Sequence, residues 1–207
     1  MVSGCVRVSD GAPVAAPSAP STIASPSAPD ADPPGIQPTQ RTPVPAGSVT
    51  CAPPNRPPVS VAAAVDDPAA PRITVGVPEG WGFGKGTGDV AVKLEGPQGL
   101  SATVTIAPTT LDPEAAFRRY ADQLVADAAV STVSMLPAEL CGYSGQKLMG
   151  GLSDTPQDSI EFSDRVVHVW TNTADYLIAV HVEGPAGVDG FTEASTVITD
   201  NVELTIP

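Results

Sequence analysis

Nine consecutive residues, Gly80-Trp81-Gly82-Phe83-Gly84-Lys85-Gly86-Thr87-Gly88, place glycine at every second position, with a lysine among them. Loops of this composition can cradle phosphate through close backbone N–H groups. The spacing does not fit that chemistry. A G-x-G-x-x-G frame started at Gly80, Gly82 or Gly84 ends on Lys85, Thr87 or Asp89. A P-loop requires Ser or Thr directly after G-K, and Gly86 stands there. The stretch reads instead as a flexible loop held at a sheet edge by Trp81 and Phe83. Trp81, Phe83 and Lys85 are the candidate binding surface, because aromatics beside yielding backbone suit adaptable contacts.

Three other groups of residues invite chemistry. Gly142-Tyr143-Ser144-Gly145 resembles a nucleophile elbow, but the template needs glycine where Gln146 stands, and the flanks read as strand. Ser144 is therefore expected as a sheet residue; a hydrolase using Ser144 or a histidine is the alternative function. His168 and His181 are the only histidines. A hairpin centred on Thr173-Ala174 would oppose His168 to Ala179 and His181 to Val166. Both rings would share a face with Trp170 and Leu177, with Asp164 or Glu183 near the ends. No third ligand at metal spacing accompanies them, so no metal or cofactor is expected and the plain reading is amphipathic strand. The opposite face, Val167, Val169, Ile178, Val180 and Val182, is the better core. The many carboxylates scatter through loops and helix surfaces, and none pairs as general acid and base. No catalytic residue is assigned, and the protein is expected not to be an enzyme.

The chain has three cysteines. Val2-Ser3-Gly4-Cys5 reads as a lipobox, with Cys5 the lipidated first residue of the mature protein and the rest of the signal upstream of Met1. A diacylated cysteine supplies the two chains that stable membrane attachment requires. Cys51 and Cys141 then remain as a pair for a disulfide, or as two unrelated thiols, one buried and one exposed. Neither has a neighbour at zinc-ligand spacing.

Composition divides the 207 residues. Sixteen of the 24 prolines lie in residues 1–71, and no Phe, Tyr, Trp or Leu occurs from Gly11 to Val49. Such a segment cannot bury enough apolar surface to offset its ordering entropy. Residues 6–50 are expected as a disordered Pro/Ala/Ser/Thr linker, 51–72 as a transition tied to the domain, and 73–207 as the folded part. The net charge of −13, with three lysines, excludes a basic stripe for nucleic acid and attraction to anionic headgroups. It reads mainly as solubility, and a monomer is expected.

The folded part must be built from strands and two helices. Ile73, Val75 and Val77 alternate, as do Val90, Val92 and Leu94, and a turn at Gly96-Pro97-Gln98-Gly99 leads into a return strand over 100–106. Asp112-Pro113-Glu114 caps and charges a helix start, and Phe117, Tyr120, Leu124 and Ala128 form its inner stripe, giving a helix over 113–129. Strands follow at 131–135, 139–148, 160–171 and 176–182. A second helix covers 189–199, and Val202, Leu204 and Ile206 close the chain as a strand. The class is α+β, an antiparallel sheet flanked by helices.

Five features in one order now carry a resemblance: Val2–Cys5, the Pro-rich linker, Ile73–Trp81 (I-x-V-x-V-P-E-G-W), Asp112–Ala115 (D-P-E-A), and Ala194–Ile198 followed by L-T-I-P. Together they look like the LpqN/LpqT-type lipoproteins of mycobacteria. The resemblance covers roughly residues 70–207 plus the anchor. It implies a PsbP-like α-β-α sandwich and a cell-envelope protein on the outer face of the membrane, or secreted, that works by contacts with an envelope protein or a lipid ligand.

Overall fold

The computed structural model describes residues 35–53, 56–155 and 158–207, all in the compact unit Asp32–Pro207. The expectations for Cys5 and for the linker as far as residue 34 lie outside the described residues.

Alternation is strongest where a strand has one core face. In β6 (Ser101–Thr109), Ala102, Val104 and Ile106 are buried and their neighbours are partly open. It lies inside a seven-stranded antiparallel sheet of order β4-β5-β6-β10-β9-β8-β7. The others are β4 (Gly82–Lys85), β5 (Val90–Glu95), β7 (Val130–Pro137), β8 (Gly145–Ser153), β9 (Ile160–Trp170) and β10 (Asp175–Pro185). A smaller sheet of order β1-β11-β3-β2 joins β1 (Val49–Cys51), β2 (Ser60–Ala63), β3 (Arg72–Gly76) and β11 (Val202–Thr205).

The α+β expectation holds. The small sheet and α2 (Phe191–Asp200) pack on one face of the large sheet, where Ile73, Val75, Phe191, Ile198 and Leu204 meet Val167, Val169, Ile178, Val180 and Val182. The valine face is the main core, as the alternation requires. Helix α1 (Pro113–Val125) covers the opposite face, and Phe117 packs there with Leu148, Phe162, Val166 and Ala179. Each such side chain contributes about 1.5–3 kcal/mol on burial. The Asp112 side chain accepts the Ala115 N–H at 2.8 Å, capping α1 with Pro113 in its first turn. The helix ends four residues before the expected 129. Ala126 and Ala128 bond back three residues instead of four, a tightened exit into β7.

Four expectations need correction. The glycine-rich stretch is not a free loop, since Gly82–Lys85 forms a main-chain ladder with β5 as an edge strand. Cys141 is not in a strand but in a tight turn between Leu140 and Tyr143, with φ 57°. The linker does not extend to residue 50. From Gly35 onward the chain lies on the domain as a strap, because side chains of the large sheet hold its backbone. The Ser144 hydroxyl donates to the Gln37 carbonyl and accepts the Gln37 N–H at 2.7 Å. Asn172 accepts the Val44 N–H at 3.0 Å and donates to its carbonyl at 2.8 Å. Val49–Cys51 then pairs with β11, and a disulfide joins Cys51 to Cys141, with Cα atoms 5.4 Å apart.

The fourth correction is the β9–β10 register. The turn centres on Asn172-Thr173, not Thr173-Ala174, so His168 faces Leu177 and His181 faces Asp164. Asn172 stands at φ 70°, a left-handed conformation that asparagine tolerates, and this position sets the turn one residue earlier.

Candidate functional site

The Pro78–Trp81 turn and the Gly96–Leu100 connection meet the N-terminal half of α2, and an open groove of about 570 Å³ lies between them. Trp81 donates its N–H to the Pro78 carbonyl at 3.2 Å, and this closes the turn. Its indole lies flat against Gly96, where an added Cβ would come within 2.3 Å of the ring. Glycine at 96 is therefore a packing requirement: any side chain would push the indole off. Trp81 is half-buried on the main core, and Leu100 beneath it is buried. Pro78, Pro97 and Leu100 make the walls apolar. Glu79, Asp189 and Glu193 also line it, with Thr192 and Thr196, and no cation is among the lining residues.

Of the three residues assigned to a binding surface, only Trp81 lines this groove. Phe83 is on β4 opposite Leu94 and is 55% exposed, so it does not hold the edge by packing. Lys85 pairs with Asp66 at 2.9 Å in the open, an ion pair of little energetic weight. The helix that forms the far wall was legible in the sequence. Its position against Trp81, over a hundred residues earlier, was not.

The histidines do not form one cluster. They lie on the α1 face, four residues apart along the register, roughly 13 Å at strand spacing. His168 is buried, with Nδ1 2.8 Å from Thr39 Oγ1 of the strap and Nε2 3.0 Å from the Leu111 carbonyl. A carbonyl only accepts, so Nε2 carries the proton and the Thr39 hydroxyl donates to Nδ1. Burial pushes this imidazole below its usual range.

His181 carries the opposite sign of shift. Its Nδ1 is 2.6 Å from Asp164 Oδ1 and its Nε2 is 3.3 Å from Glu183 Oε2. Tyr120 of α1 donates to the other Asp164 oxygen at 2.7 Å. Burial opposes the imidazolium, but the hydrogen bonds and charges of the two carboxylates prevail and lift it to about 10. The His181 partnership holds Glu183 below the usual carboxylate range. The expected neighbours Asp164 and Glu183 are thus present, both on His181. Asp164 is fully buried, against the reading of the carboxylates as scattered surface groups. The amphipathic-strand reading failed here because α1 covers this face of the sheet.

This constellation is built for structure. Every polar atom of His181 and Asp164 is engaged, and Phe162 stacks beside the imidazole at 6.5 Å. Ser144 is likewise committed: 1% exposed, with its hydroxyl bracketing Gln37 and no histidine side chain as its hydrogen-bond partner among the described residues. Among the described residues no three His, Cys, Asp or Glu side chains are grouped to hold a metal ion.

No protein-family model matches the chain, and no curated protein matches it in sequence. Solved structures do match in shape. The crystal structure of LpqN from Mycobacterium tuberculosis, a protein involved in cell envelope biogenesis, aligns with a TM-score of 0.54 at 16% identity, over 71% of this chain and 91% of that one. The solution structure of cyanobacterial PsbP (CyanoP) from Synechocystis sp. PCC 6803 aligns with a TM-score of 0.45 at 13% identity, over 69% and 91%. With LpqN the chain shares its α+β fold.

Proposed function

We infer that this chain is a non-catalytic binding module of the cell envelope, which takes an apolar ligand or an apolar segment of a partner in the Trp81 groove. The observation that carries the reading is the groove itself. Its volume lies in the range of small-molecule sites, and most of the lining surface it offers is apolar. Three further features support an envelope setting. Residues 6–34 have the composition of a tether, the Cys51–Cys141 bridge belongs to oxidising compartments, and the fold is shared with an envelope protein. Lipidation at Cys5 would hold the module at the membrane's outer face. The alternative, hydrolysis by Ser144 or a histidine, has no support from the geometry of those side chains.

The test is binding of N-phenyl-1-naphthylamine, a neutral apolar reporter, to the full chain, followed by displacement with envelope lipid extract. Trp81→Ala is expected to weaken reporter binding at least tenfold, with the circular dichroism spectrum unchanged. Equal binding by both forms would remove Trp81 from the site, and no binding by either would end the apolar-groove reading.

A further inference from the structure

Sheet edges are templates for another chain, and natural proteins blunt them with short strands, lysine or proline. Among the described residues, three of the four sheet edges are blunted. Strands β1 and β2 are three and four residues long. Strand β4 has four residues, two of them glycine, and ends on Lys85. The fourth edge, β7, is different. It is eight residues long, pairs with β8 on one side, and has no strand on the other among the described residues.

Its composition is as distinctive as its length. No Asp, Glu, Lys or Arg occurs between Asp127 and Glu139, in a chain of net charge −13. Val130 is 65% exposed, and Met135 and Leu136 are each 47% exposed, making three of the six large apolar residues that are open to solvent among the described residues. By register with β8, Val133 and Met135 lie on the α1 side of the sheet, and Val130 and Leu136 on the other. Both faces next to the edge are therefore apolar, with the small hydroxyl residues Ser131, Thr132 and Ser134 between them. Pro137 interrupts the edge only at its end.

We propose that β7 is a docking edge for a second copy of this chain, the two β7 strands pairing antiparallel across a two-fold axis to continue one sheet into the other. Charge selects the place, and the pattern of the strand selects the occupant. Two copies carry −13 each, so contact through most surfaces brings like charge together, and β7 is where that repulsion lapses. An isologous pairing is self-complementary. Val130 and Leu136, near opposite ends of the strand, come alongside each other's counterparts, and the hydroxyl residues meet near the axis. The expectation of a monomer does not take account of this strand, where the charge of the chain is absent.

Residue 134 lies near the middle of β7, so any antiparallel overlap that buries most of the strand brings its two copies close. The test is sedimentation velocity of the full chain from about 1 to 500 µM in about 0.15 M salt. A concentration-dependent dimer is expected. Ser134→Lys and Ser134→Asp, both at an exposed position, should each weaken it at least tenfold with unchanged circular dichroism. An equimolar mixture of the two variants should associate again as a mixed dimer. A chain that remains monomeric to 500 µM overturns the proposal, and so does a dimer indifferent to both substitutions or a mixture that fails to re-form.

Discussion

His181 shows most directly how one side chain is bound to its surroundings. It stands between Asp164, which is fully buried, and Glu183, with Tyr120 closing the far side of Asp164. Removing one partner of a buried pair leaves an uncompensated charge and typically costs about 3–5 kcal/mol. His181→Gln is therefore expected to lower stability by about 3 kcal/mol in urea unfolding at pH 7. The pH dependence has a definite sign. The imidazole titrates near 6.5 when unfolded and at about 10 when folded. Its stabilising contribution is present in full below pH 6.5 and is lost progressively as pH rises to about 10. The difference in stability between wild type and His181→Gln should narrow over that window. A difference that stays constant from pH 6 to 10 would show that the imidazolium is not what stabilises Asp164.

At the scale of elements, the strap over 35–48 depends on side chains from strand β9 and from the turns beside β8 and β9. Ser144 holds Gln37, His168 holds Thr39, and Asn172 holds Val44. Arg41 lies between them, 2.9 Å from Asp175 and over the Trp170 ring at 5.7 Å. Asn172→Gly separates the two roles of the asparagine, because glycine keeps the positive φ of the turn and deletes the clamp. Two lost hydrogen bonds of ordinary strength amount to about 1–3 kcal/mol. The substitution is expected to speed tryptic cleavage at Arg41 several-fold while leaving the β9–β10 hairpin intact by amide exchange. An unchanged cleavage rate would mean that Asn172 does not hold the strap. The strap was not legible in composition: a Pro-rich segment has no core of its own, and its order comes from hydrogen bonds offered by residues more than a hundred positions away.

For the whole molecule, the disulfide is the covalent link between the strap's end and the large sheet. It closes a loop of 90 residues, for which chain entropy gives a stabilisation of about 4–5 kcal/mol. Reduction, or Cys51→Ser with Cys141→Ser, is expected to lower the unfolding free energy by that amount and so move the urea midpoint down. A midpoint that does not move would show that the remaining contacts already hold β1 in place. The α+β class, the two helices with the cap at Asp112, and the valine face that became the core were all legible in the residues alone. These follow from periodicity and local capping, which act within a few residues. Docking of the elements set the rest: Gly82–Lys85 pairs as an edge strand, His168 and His181 part company, and Trp81, not Phe83, faces α2. A one-position shift of a turn moves every pair in a hairpin, and a groove between a turn and a helix a hundred residues apart exists only once both have docked on the same sheet.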